Sequence, residues 1–310
     1  MVIRGRILVF LAALSASALA AIGPGTGRAE TPAFDSGGTG NLSRQLVESY
    51  RAVRHGRYSE AIDIDTKAIA IAPSYGDAYW VRASTYMNAG RFAEAQADYD
   101  HVIKLRPGDF SPVLDLAQLL LVKGDAAASL AKIKVVVQMP VYTFHHEGAG
   151  QGAYGATGHA LSYIYAVSSV AEQVLHQDDA ALGDMSRMLD TEKDHPEYLL
   201  SFYCWNAAVV GLLDSAEMTC QRAIEVNSHD IGQYDTLGYV HLRMKQWDKA
   251  IADYNKALDG RSDLTTSLYG RGVARRARGD IAGGNADIAA AVKGEPDIAN
   301  IMQRLHAPAP

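Results

Sequence analysis

Two cysteines, three tryptophans and ten prolines are all that the 310 residues offer of those types. So few cysteines exclude a disulfide-dense scaffold and a four-thiolate zinc framework. Motifs are missing too. There is no His-Glu-x-x-His, no Gly-x-Ser-x-Gly and no Cys-x-x-Cys, so zinc-hydrolase, serine-hydrolase and thiol-redox chemistry lack their ligands or nucleophile. No block of like charge forms an interaction tail. The net charge of −6 comes with no basic stripe, which argues against nucleic-acid and anionic-membrane partners. Prolines lie mostly outside the periodic segments, leaving room for long helices. What remains, 48% hydrophobic and 21% charged, is ordinary for a folded chain.

The first 29 residues differ from the rest. Arg4 and Arg6 precede an apolar run from Ile7 to Ile22, closed by Gly23-Pro24-Gly25. This order predicts a secretory signal at 1–29, cleaved after Ala29, with Ala20 as an alternative site. An uncleaved anchor is the competing reading, but the run is short for a span and diluted by Ser15 and Ser17. No other stretch predicts a membrane span. Residues 30–41 have many breakers and no period, and predict a flexible lead-in.

From there a ruler of 34 residues applies: Gly56, Gly90 and Gly124 keep it, as do Ala61, Ala95 and Ser129, and Pro73 and Pro107. Downstream, Gly211, Lys245 and Gly279 keep it, with Ala216, Ala250 and Gly284 five residues after each. Each period reads as two amphipathic helices around a turn. Small residues such as Ala83 and Ala95 sit where the helices meet, and Tyr86, Phe92 and Tyr99 fill between them. One such hairpin cannot bury its apolar face alone, so neighbours must stack.

A 34-residue helix–turn–helix with a small residue at the eighth position (Ala83, Gly238, Gly272) and an aromatic at the twenty-fourth (Tyr99, Tyr254) resembles the tetratricopeptide repeat family. The resemblance implies an all-α fold, a right-handed superhelical solenoid of antiparallel helix hairpins. Repeats 1–3 are expected over 42–141 and three more over 197–296. Between Gly124 and Gly211 the ruler leaves a surplus, read as a glycine-rich insertion plus a degenerate hairpin over 142–196, its helices at His159 to Lys193. Residues 297–310 are expected to hold a capping helix, with Ile298, Ile301, Met302 and Leu305 on one face, and a tail.

The resemblance also implies that the first helix of each hairpin lines a concave groove. Ligand-contact positions then fall on Tyr50 and Arg54 in the first unit, Trp80, Met87 and Asn88 in the second, and Gln118 in the third. In later units they are Trp205, then Asp235, Tyr239 and Arg243, then Tyr269 and Arg276. Aromatic and arginine side chains suit a peptide surface, although the tyrosines and tryptophans serve equally as packing residues. Only Asn88 resembles the asparagine–lysine set with which some members clamp a free carboxylate. Arg82 and Arg271 are expected to pair with acids such as Asp98.

Cys204 and Cys220 stand symmetrically about the turn at Gly211–Leu213, hence side by side on a hairpin. In an exported chain this predicts a disulfide; two buried thiols are the alternative. The implied function is a non-catalytic, exported interaction scaffold with no cofactor and no metal. It would bind a protein or peptide partner in the periplasm, in cell-envelope assembly or regulation, and self-association through the groove is a further option. A second reading gives the repeats the task of holding an active or metal-binding loop at 143–159. That loop carries His145, His146 and Glu147, with His159 nearby, and Gly150-x-Gly152-x-x-Gly155. The glycine string lacks the strand–helix setting of a dinucleotide site.

Overall fold

A computed structural model describes residues 39–138, 154–191 and 196–309. The expected signal at 1–29 and most of the glycine-rich insertion lie outside them. Every described element is helical, and no described helix is long and apolar enough to cross a membrane.

Fourteen of the described helices form seven hairpins. They are α1 (Thr39–Arg54) with α2 (Tyr58–Ile71), α3 (Gly76–Asn88) with α4 (Phe92–Leu105), and α5 (Ser111–Val122) with α6 (Ala126–Gln138). Then come α7 (Tyr154–Val174) with α8 (Asp178–Thr191) and α9 (Pro196–Val210) with α10 (Leu213–Val226). The last two are α11 (Ile231–Arg243) with α12 (Trp247–Gly260) and α13 (Thr265–Ala277) with α14 (Ile281–Gly294); a short α15 (Ile298–Arg304) follows. Helices pack on their sequence neighbours, so each hairpin stacks on the next. The fourth hairpin begins at Tyr154, inside the stretch expected as insertion. Gly155 and Gly158, each costing a helix about 1 kcal/mol relative to alanine, make that stretch read as loop.

The turns explain the ruler. Gly56, Gly90, Gly124, Gly211 and Gly279 all have positive φ, between 66° and 96°, which an L side chain resists. Within hairpins, residues sixteen apart face one another. Arg82 Nε and Nη2 donate to Asp98 at 2.7 and 2.8 Å, and Arg271 repeats this fork on Asp287. One position further on, Ala83 faces Tyr99, and Gly238 gives its space to Tyr254, whose ring a Cβ would meet at 2.8 Å. In the fifth hairpin the same pair of positions holds Cys204 and Cys220, which are disulfide-bonded with Cα atoms 5.3 Å apart.

The stack does not stay open. The turn of the first hairpin meets the loops on either side of the seventh. His55 Nδ1 lies 2.7 Å from Asp263 Oδ2, Thr265 Oγ1 donates to the Gly56 carbonyl at 3.1 Å, and Arg261 donates to the Arg54 carbonyl. Ser59 donates through its backbone N–H and its hydroxyl to the two oxygens of Glu295, at 2.9 and 2.7 Å. Glu295 is fully buried, and its carboxylate sits at the positive N-terminal end of α2. Closure puts the first helices of the hairpins inside. Every residue of α5 is buried, consistent with a sequence apolar on nearly all faces.

Candidate functional site

The side chains expected along a groove are largely inside the closed array. In α1, Tyr50 and Arg54 remain half-buried, the guanidinium 6.0 Å from the ring centre, and burial pushes the Tyr50 hydroxyl up. In α3, Trp80, Met87 and Asn88 are buried. Trp80 Nε1 donates to the buried Asp115, whose carboxyl desolvation holds well above its ordinary range. Asn88 is wholly buried, and neither of its side-chain polar atoms has a hydrogen-bond partner.

Gln118 of α5 is fully engaged. It accepts from the Tyr163 hydroxyl at 2.7 Å and donates to Asn206 Oδ1 at 3.1 Å, tying the third, fourth and fifth hairpins together. Trp205 of α9 packs against Tyr239 of α11 with ring centres 5.6 Å apart. Asp235, at the start of α11, accepts from the hydroxyls of Ser267 and Thr266, and burial pushes its carboxyl up to about 6. Arg243, at the C-terminal end of α11, donates to the Ala208 and Val209 carbonyls and so caps α9. Its guanidinium lies 5.8 Å from the Tyr239 ring centre. In α13, Tyr269 is buried, while Arg276 is half-buried.

The expected open concave surface is thus mostly a packed interior, because successive inner helices pack on one another and α15 turns inward. Ile298, Ile301, Met302 and Leu305 are at most 3% exposed, so this helix is more than a cover for the last hairpin. It packs on α13 and α14, yet Arg304 Nε donates to the Ala89 carbonyl of the second hairpin at 2.8 Å. The Tyr239 hydroxyl donates to the Leu305 carbonyl. Tyr239 and Arg243 therefore do converge, at the place where the C-terminal segment enters. Trp80, Asn88 and Gln118 are instead occupied with the packing of α3, α5 and α9. The C-terminal ends of α5, α7, α9 and α11, with His306, line a cavity of about 370 Å³ whose walls include Leu121, Val122, Val174, Val209 and Val210. The inward turn of α15 is not legible in the sequence. Its apolar spacing is visible, but the spacing does not say which surface it meets.

Among the described residues no group of three His, Cys, Asp or Glu is placed to hold a metal ion. His145, His146 and Glu147 lie outside the described residues.

Residues 76–109 and 234–259 match the tetratricopeptide repeat model. A curated relative, the tetratricopeptide repeat and J domain-containing co-chaperone DNJ1 of Cryptococcus neoformans var. grubii serotype A, is 28% identical over 98 residues, which is 32% of this chain and 17% of that protein. The chain thus spans less than a fifth of that relative. Among solved structures, a tetratricopeptide repeat protein from Parabacteroides merdae aligns at 13% identity and a TM-score of 0.44, covering 86% of this chain and 99% of that one. YrrB, a TPR protein with an unusual peptide-binding site, aligns at 15% identity and a TM-score of 0.37, covering 67% of this chain and 96% of that one.

Proposed function

We propose that this chain is an exported, non-catalytic scaffold that binds a protein or peptide partner through the inner faces of its repeats, in the assembly or regulation of a bacterial cell envelope. The carrying observation is Tyr239. This inner-helix residue, at a position where the repeat resemblance puts a ligand contact, donates its hydroxyl to a main-chain carbonyl of a non-repeat segment. Arg243 beside it lines the cavity next to His306, and Trp205 packs against the Tyr239 ring and supports it. Export is supported by the basic-then-apolar order of 1–29 and by the Cys204–Cys220 bond, which suits an oxidising compartment.

The test has two arms. Expressed in a Gram-negative host, the full chain should appear in the periplasm with Glu30 at its N-terminus. Cytoplasmic retention with residues 1–29 attached overturns the export reading. A partner captured from envelope extract on chain 30–310 should then, once purified, bind at least about tenfold more weakly to Arg243→Ala and Tyr239→Ala, a loss of roughly 1.4 kcal/mol. Unchanged affinity in variants of wild-type helicity overturns the inner-face reading.

A further inference from the structure

The C-terminal segment engages the interior in a way that a simple end cap does not require. An end cap needs only the exposed side of α13 and α14. Here α15 also reaches the second hairpin through Arg304 and the sixth through Leu305, units far apart in the chain. Its buried residues, Ile298, Ile301, Met302 and Leu305, fall at i, i+3, i+4 and i+7, while Ala299, Asn300 and Gln303 face outward. Tyr239 holds a backbone oxygen, which any helix C-terminus would present. The segment is joined covalently to the seventh hairpin directly after α14. It is flanked by two surface cavities, one lined by Gly90 to Glu94 with Asp297 and Arg304, the other by His306 with the ends of four inner helices. A seven-residue helix has no stability of its own in water, so α15 is helical only while docked.

We infer that residues 297–307 are a displaceable internal ligand, and that the partner replacing them is a short amphipathic helix with apolar side chains at i, i+3, i+4 and i+7. The inference rests on the scaffold reading above. It adds the partner's chemistry and an autoinhibited resting state. The tethered segment competes at an effective concentration on the order of millimolar, so a partner in trans binds weakly until α15 is released.

The probe is a fluorescein-labelled peptide of residues 296–309, titrated by anisotropy against the full chain and against full-length Ile301→Asp/Leu305→Asp. The variant is expected to bind at least about tenfold tighter than the wild type. Equal binding by both, or no binding by a variant with wild-type helicity, overturns the inference. Native-state hydrogen exchange on the unmodified chain decides should the variant lose its fold. The α15 amides are expected to exchange at least about tenfold faster than those of α13. Exchange of both only through one common unfolding event overturns it. A variant that refuses the peptide but keeps the captured partner removes this inference and leaves the scaffold reading standing.

Discussion

Asp65 sits on α2 with no exposed surface, its Oδ1 unpartnered and its Oδ2 only 3.5 Å from the Thr85 hydroxyl. Desolvation outweighs the help of Ser49, Arg82 and Thr85 and pushes the carboxyl up to about 8. The unfolded chain releases that proton near pH 4, roughly, so between there and about 8 the folded state binds the extra proton, and stability falls as pH rises through this window. Asp65→Asn, which stays neutral, is expected to flatten the decline and to narrow the gap in stability between pH 5 and pH 8. Urea unfolding at pH 5 and pH 8 checks this; equal slopes for both proteins would refute it. The cysteines are a second residue-scale case. Cys204 and Cys220 are at most 1% exposed, so the bond is shielded from reductant while the chain is folded. Thiol titration of unfolded, unreduced protein should find no reactive thiol, and the double alanine variant should lose about 3 kcal/mol. Two titrating thiols would mean that the positions act only as small apolar packing.

At the scale of the element, the ruler is legible because its cause is local. A helix that ends in a left-handed residue wants glycine there, and five of the seven hairpin turns have it. The exceptions carry the same backbone without the glycine: His176 has φ 57° and Lys245 has φ 59°. Lys245→Gly is therefore expected to stabilise the chain by about 1 kcal/mol, with a matching rise in the melting temperature, because it relieves a strained conformation without touching a packed side chain. A neutral or lower melting temperature would show the lysine already compensated at that turn. The forks of Arg82 and Arg271 are legible for the same reason, since partners within one hairpin follow from register. The start of α7 is not. Gly155 and Gly158 lower the local helix propensity there, and propensity is only a weak guide to where a helix begins.

Closure belongs to the whole molecule. The rotation between successive repeats is small, and seven of them decide whether the ends meet, so a slight change per unit separates an open groove from a closed interior. That sum is invisible in any one repeat, and so is the packing of successive inner helices on one another, which buries Trp80 and Met87 against Leu116, Leu119 and Leu120 and ties Gln118 to Tyr163 and Asn206 where the repeat pattern puts them on a surface. Even Glu295 and Ser59, which join the ends, carry no periodic signature. The seam is nevertheless open to a sharp test through two turns of the same conformation. A Cβ added to Gly124 would stand in open space, whereas one added to Gly56 would overlap Thr265 Oγ1. Gly124→Ala should cost only the left-handed backbone, about 1–2 kcal/mol. Gly56→Ala must also push aside the buried Thr265 hydroxyl, which donates to the Gly56 carbonyl, so it should cost at least about 1 kcal/mol more in a melting experiment. If the two variants melt together, the turn of the first hairpin does not rest on Thr265 in solution, and the seam between the first and seventh hairpins is not closed there.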